Sequence, residues 1–420
     1  MPPSCPLRGF SHDIASGRNL WFIDSLIMHS HFLTQARLMD INALKKHLDS
    51  TPAFILDEEE LARSLGILSR LRQQSGVKAL YSIKSLPLSR VLELAKPFVD
   101  GFSASSLFEA LQAKEILAGT GSIHLTTPGI NFAELDQLLT TVSHLSFNSL
   151  SQLQRYHGQN RLASASIGLR VNPQLSYLDD DRYNPCRLHS KLGVPIDDLW
   201  QTTALNQVQG LHLHTVFACQ DYRPLTESIA KLVSYFGKSL KNLEWINLGG
   251  GYLFNHINNH QPFIDLVGQL GKDYALEVYV EPGKAIVGDA ACLVASVIDC
   301  FSSDGKTVAV LDTSVNHNPE VFEYGWQPQL HEHTPAGHYS AILAGRSCLA
   351  GDLFGEYRFK SPLQVGDKLV FTNMGAYSLV KANRFNGINL PTIYGLQAGR
   401  LNTLKEYSYQ DYRQQWLTDN

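Results

Sequence analysis

Lys84 closes a short apolar run, Leu80-Tyr-Ser-Ile-Lys-Ser85. In a parallel barrel the carboxyl ends of the strands form the active face. A lysine there is partly desolvated, which lowers its pKa toward the neutral amine that attacks aldehydes; the same position also suits an ordinary surface lysine. Gly249-Gly250-Gly251 follows a strand expected over 245–248. Such a run lets backbone N–H groups approach a phosphate closely, or makes a tight turn. The dinucleotide pattern GxGxxG is absent from it. Glu281-Pro282-Gly283-Lys284 follows a strand over 277–280. Proline and glycine together hold Glu281 rigidly at a strand end, where a carboxylate can keep a proton on a ring nitrogen or simply face water. Ser347-Cys348-Leu-Ala-Gly-Asp352 offers a thiol beside a carboxylate, although a lone cysteine is more often a small apolar core residue. His212 and His214 share one strand and are expected to face opposite sides, leaving at most one for a given site.

These residues need a scaffold, and the pattern supplies one. A short helix is expected over 41–47 and a strand over 52–57, with Asp57 as N-cap of a charged helix over 58–73. Strands and helices then alternate: strands over 79–83, 101–103, 122–126, 144–148, 166–171, 210–215, 245–248 and 277–280. About eight strand–helix units between 57 and 295 predict a (β/α)8 TIM barrel. After Leu293 the texture becomes mainly β, with strands over 294–298, 307–312, 339–344 and 368–372. The expected organisation is a poorly specified extension (1–38), a segment that pairs with the C-terminal β domain (39–57), the barrel (58–295) and a C-terminal β-sandwich or barrel domain (296–420). The extension reads either as a start placed too far upstream, with Met39 opening the regular pattern, or as an amphipathic helix against a partner subunit.

Composition narrows the function. Of 420 residues, 44% are hydrophobic and 18% charged, which fits a globular enzyme and argues against disorder. A net charge of -4 speaks against nucleic-acid partners and acidic membrane surfaces. The six cysteines are scattered without a CxxC pair or Cys/His cluster, so no metal is expected and a reducing, cytoplasmic setting is. The stretch over 20–33 is interrupted by Asp24, His29 and His31, so neither a membrane span nor a secretory signal is expected.

In order along the chain, the motifs resemble the fold type III pyridoxal phosphate decarboxylases, an alanine-racemase-like barrel family. Within it they are similar to the carboxynorspermidine (carboxyspermidine) decarboxylase branch. That resemblance rests on Asp100-Gly-Phe-Ser-Ala-Ser-Ser106, Phe147-Asn-Ser-Leu-Ser-Gln152, Tyr183-Asn-Pro-Cys186, Ser190-Lys-Leu-Gly193, Gly345-Arg-Ser-Cys-Leu-Ala-Gly-Asp352 and Phe385-Asn-Gly387. It implies pyridoxal 5'-phosphate as cofactor, attached to Lys84, with Glu281 on the pyridine nitrogen and His214, not His212, stacked on the ring. It further implies phosphate contacts from Gly249, Gly250, Gly251, Gly283 and Tyr377, and Arg170 near the coenzyme. Cys348 resembles the residue that returns the proton after decarboxylation. A homodimer with shared sites is implied, the cysteine loop serving the partner's lysine. The substrate implied is a small amino acid carrying further amines, a polyamine precursor, with Asp312, His317, Glu320, Glu323 and Asp352 around it.

Several positions depart from that branch. Lys284 stands where an acid is usual and suits a phosphate contact. Lys191 replaces an arginine, losing the two-pronged grip on a carboxylate. Thr215-Val-Phe-Ala-Cys-Gln220 replaces a shorter link, and the neighbours within Asp312–Glu320 are altered. These departures leave open a paralogue acting on another amino acid, such as a siderophore or specialised-metabolite precursor. A catalytically silent, coenzyme-binding regulatory protein is the remaining reading. A racemase is disfavoured because Cys348 stands where that branch uses tyrosine.

Overall fold

The computed structural model describes residues 40–157 and 164–418. The extension over 1–38 and Met39 lie outside the described residues.

Helix Glu58–Ser75 shows how local chemistry sets the frame. The Asp57 carboxylate accepts from the Glu59 and Glu60 N–H groups, which no helical carbonyl can reach. Three acids fill its first turn, where they complement the helix dipole, and Gly76 ends it at φ 76°. Its apolar stripe, Leu61, Leu65, Leu68 and Leu71, is buried against the barrel.

Eight parallel strands follow: Lys78–Ser82, Gly101–Ala104, Ser122–Thr126, His144–Phe147, Ser166–Asn172, Gly210–His212, Trp245–Asn247 and Glu277–Val280. Each pairs with the next, and Glu277–Val280 pairs back onto Lys78–Ser82, so the sheet closes into a barrel. The interior is filled by few, large side chains. The Trp245 indole lies across Gly168 and Gly210; a Cβ would come within 2.3 Å of a ring atom at Gly168 and 2.0 Å at Gly210. Its Nε1–H donates to Ser166 Oγ at 2.8 Å. His124 and His144, neighbours in register on the third and fourth strands, stack with centroids 3.8 Å apart.

The second sheet is mixed and eight-stranded, in the order Leu353–Phe359, Tyr339–Ala344, Lys306–Leu311, Ala291–Ser303, Ala53–Asp57, Thr392–Gln397, Arg400–Lys405, with Lys368–Phe371 also on Ala291–Ser303. Ala53–Asp57 is fully buried, antiparallel to Ala291–Ser303 and parallel to Thr392–Gln397. Three of these strands, 353–359, 392–397 and 400–405, lie outside the sequence-based expectation. Gly355 and Gly395 sit inside two of them and weaken the strand signal. At Gly395 the Glu58 carboxylate, held by Arg90, lies where a Cβ would come.

The sheet touches the barrel mouth through Gly375-Ala-Tyr377. Gly375 packs so closely on the Val287 carbonyl, just after the last barrel strand, that no side chain fits. The Tyr377 N–H donates to the Ser85 carbonyl at 3.0 Å, beside Lys84. No helix among the described residues is long and apolar enough to cross a membrane.

Because a methyl group at position 210 overlaps the indole, Gly210→Ala is expected to destabilise the protein by about 1–3 kcal/mol. Urea unfolding monitored by Trp fluorescence measures this; unchanged stability would show that the barrel interior is looser than described.

Candidate active site

Lys84 sits in a single 3-10 turn, Ile83–Ser85, immediately after the first barrel strand. It opens onto a cavity of about 620 Å³ at the carboxyl ends of the strands. Arg170, His212, His214, Glu281, Glu320 and Tyr377 line the same cavity. The surrounding protein lowers the Lys84 pKa through desolvation, and Glu281 opposes that shift. Arg170, at the end of the fifth strand, is likewise drawn down by burial, to about 10.

Glu281 is 5% exposed. Burial alone would raise its carboxyl pKa; the His212 contact and the Lys84 charge hold it well below the usual carboxylate range. Oε1 accepts from Asn247 Nδ2 at 2.8 Å, and Oε2 lies 3.3 Å from His212 Nε2. The Glu281 N–H donates to the Gly249 carbonyl at 2.8 Å. Gly250 packs directly on the Glu281 carbonyl, and its N–H donates to His214 Nδ1 at 3.1 Å. His214 is buried and neutral, its pKa pushed well below the ordinary value by desolvation and then by Lys84. An accepting Nδ1 places its remaining proton on Nε2.

Both histidines of Leu211-His-Leu-His214 therefore reach the cavity, against the expectation that only one could. Positions two apart on a strand project to the same face, so the expected opposition inverted the alternation rule. The strand ends at His212, and His214 follows in the loop on the same side.

Gly251, Gly283, Lys284 and Tyr377 line a smaller adjoining hollow that also includes Lys84 and His214. Gly283 packs on the Ser82 and Ser85 side chains. Lys284 Nζ lies 5.2 Å from the Phe217 ring centre. Burial raises the Tyr377 hydroxyl pKa to about 12, keeping it protonated as a donor.

The outer wall contains residues that the motif reading did not assign. Tyr183 stacks on Phe217 at 4.9 Å and on Tyr324 at 4.3 Å. Lys381 Nζ contacts Glu320 at 3.1 Å and Glu323 at 2.7 Å, and lies over the Tyr324 ring. Glu320 is thus at the wall and Glu323 at its rim, both already paired with a lysine. Only the folded loops bring these chain-distant groups together, so no spacing in the sequence announces them.

Of the expected site residues, Gly249, Gly250 and Glu323 lie behind or beyond this lining, and Asp312, His317, Asp352 and Cys348 line neither the cavity nor the adjoining hollow. Asp312 accepts from Thr51 Oγ1 at 2.5 Å and from the Ser296 N–H at 2.9 Å, which ties two strands of the second sheet. His317 is buried beside Thr313 Oγ1 at 2.8 Å. Asp352 is buried, and its oxygens accept from the Val315 N–H at 2.8 Å and the Ser347 N–H at 3.0 Å. It pins the base of the loop that carries Cys348, whose own side chain is exposed.

The donor set fits the expected coenzyme. An amine of lowered pKa meets an aldehyde, and a buried anion meets a protonated ring nitrogen. A glycine-walled hollow carrying a lysine and a hydroxyl meets a phosphate.

Comparison with known proteins agrees. The profile described as pyridoxal-dependent decarboxylase, C-terminal sheet domain, matches residues 23–375. A carboxynorspermidine/carboxyspermidine decarboxylase from Campylobacter jejuni is 32% identical, covering 86% of this chain and 97% of the relative. A carboxyaminopropylagmatine decarboxylase from Synechocystis is 33% identical, covering 86% and 94%. The solved structure of carboxynorspermidine decarboxylase complexed with norspermidine, from Campylobacter jejuni, superposes with TM-score 0.78 at 30% identity, over 87% of this chain and 100% of that one. With its closed barrel, its mixed second sheet and a match that runs through both, this chain belongs to the family of pyridoxal-dependent decarboxylases, and pyridoxal 5'-phosphate is its cofactor.

Proposed function

We propose that this chain removes the α-carboxylate of an amino acid that carries further amines, of the carboxynorspermidine or carboxyspermidine type, in polyamine biosynthesis. One observation carries the reading: a relative bearing that name matches at 32% identity over 97% of its own length. A second reading draws on the equally similar carboxyaminopropylagmatine decarboxylase, in which the far end of the substrate is a guanidinium.

When bound, the coenzyme supplies an electron sink for the pair left behind as carbon dioxide departs. Lys84 provides the amine that holds its aldehyde carbon, made nucleophilic by desolvation. Glu281, anionic and almost fully buried, keeps a proton on the ring nitrogen; in so dry a site its charge acts with little screening. His214 offers an uncharged imidazole face, oriented by the Gly250 N–H. Gly251, Gly283, Lys284 and Tyr377 hold the phosphate, while Gly249 and Gly250 shape the turn behind it with their N–H groups on Asn247 and His214, and Arg170 adds positive charge beside the anionic coenzyme and substrate. Tyr183, Phe217 and Tyr324 wall the cavity against water. Glu320 and Glu323 meet a substrate ammonium by exchanging their bond to Lys381 for one to the substrate.

Cys348 donates the proton that replaces the lost carboxylate, and it does so in a second copy of the chain. Its thiol is exposed, and its loop lies outside the Lys84 cavity of its own chain. Asp352 and the Asn386 side chain, which accepts from the Cys348 N–H at 2.8 Å, hold that loop ready for the partner, with His317 behind it. The described cysteines are all unpaired, which supports action in the cytoplasm.

Carbon dioxide release from purified protein should be fastest with carboxynorspermidine or carboxyspermidine. Strong preference for carboxyaminopropylagmatine would select the second reading, and turnover of neither class would reject both. If sites are shared, mixing inactive Lys84→Ala and Cys348→Ala proteins under subunit exchange restores about a quarter of wild-type activity, since half the dimers then hold one complete site. No recovery despite confirmed exchange would place both residues in one chain.

A further inference from the structure

Two buried nitrogens are left without partners in the barrel interior: His212 Nδ1 and His124 Nε2. Both residues are 2% exposed. An unmet imidazole nitrogen in so dry a place carries a substantial desolvation cost, so each implies a partner. His124 stands on the third strand and His212 on the sixth, which lie across the barrel from one another.

The tautomers follow from Glu281. An anionic carboxylate accepts, so His212 must carry its proton on Nε2, and Nδ1 then presents a lone pair that needs a donor. Asn247 is committed elsewhere: its Nδ2 donates to Glu281 and its Oδ1 accepts from the Gly249 N–H at 2.9 Å. The other charges facing His212 are Arg170 and Lys84. The charged or titratable groups acting on His124 are His144, Glu281, His212 and Lys78. Its ring is clamped between the His144 face, the Trp245 edge at 6.0 Å and the Tyr279 ring at 4.4 Å, so it cannot turn away.

We propose that His124 and His212 form a line of positioning residues behind Glu281. His124 Nε2–H donates toward His212 Nδ1 through one buried water, and His212 Nε2–H donates to Glu281 Oε2. The line fixes the carboxylate rotamer and keeps the charge on the oxygen that serves the coenzyme ring. His212 acts on the coenzyme through Glu281, and His124 acts through His212. The stack continues through His144 to the floor of the barrel, where Glu277 holds Lys78 and the Tyr279 hydroxyl. The inference rests on the coenzyme family and not on which amino acid is the substrate.

The test uses the full chain and two readouts besides turnover. With 15N-histidine labelling of the coenzyme-free protein, and His212 assigned through H212Q, His212 should appear as the neutral Nε2–H tautomer. His124→Leu, which keeps bulk but removes the donor, should shift that resonance. It should also move the visible absorption of bound coenzyme and raise the coenzyme dissociation constant about tenfold, as for loss of one buried hydrogen bond. His124→Gln, with an amide donor of similar reach, should restore most of each signal. A wild-type His212 in the Nδ1–H or doubly protonated form would overturn the proposal, and this alone decides if His124→Leu does not fold. So would a His124→Leu protein indistinguishable from wild type, or a His124→Gln protein no better than His124→Leu.

Discussion

A carboxylate removed from water costs several kcal/mol unless its surroundings replace what water supplied. Glu281 is such a group, and much of the barrel mouth is arranged around it. Asn247 and His212 occupy its two oxygens, Lys84 balances its charge, and Gly249 takes its N–H. These partners come from the ends of the first, sixth and seventh strands, while Glu281 follows the eighth. The carboxylate therefore fixes the relative heights of four loops. The glycine run is the steric counterpart: Gly250 lets the backbone after the seventh strand lie directly on Glu281.

The second sheet contributes to the same end. Its strand Ala291–Ser303 begins soon after the turn that carries Glu281 and Lys284, and Ala53–Asp57 leads straight into the first barrel helix. Barrel and sheet thus share chain at both ends of the site, and the Gly375 contact brings Tyr377 over Lys84. The wall beyond is rich in cations, with Arg170, Arg182, Arg187, Lys191 and Lys381 around the cavity against Asp181, Glu281 and Glu320. A doubly charged phosphate and an α-carboxylate are the anions such a wall receives. Among the described residues the acids lining the cavity are Asp181, Glu281 and Glu320.

Much of this was legible because the chemistry sits at strand ends. Lys84, Gly249-Gly250-Gly251 and Glu281-Pro-Gly each follow an apolar run, and a parallel barrel sends all such positions to one face. The shared side of His212 and His214 is equally readable, since positions two apart on a strand face the same way. The aromatic wall of Tyr183, Phe217 and Tyr324, and the Lys381 pair, were not readable: their members lie on separate loops and meet only through packing. The family resemblance casts Asp312 and Asp352 as substrate ligands. Within this chain their partners are backbone N–H groups and a hydroxyl that brace the second sheet and the cysteine loop, contacts that the sequence does not announce. The glycine-bearing strands 353–359 and 392–397 escaped because close packing, not propensity, makes them strands.

The central claim is that Lys84, facing the Glu281 anion across one cavity, is the residue to which the coenzyme is joined. Borohydride reduction of the holoprotein, followed by peptide mapping, tests it most directly. The account predicts a single pyridoxyl-phosphate adduct on the peptide containing Lys84. An adduct on Lys284 or Lys381 instead, with Lys84 unmodified, would contradict it.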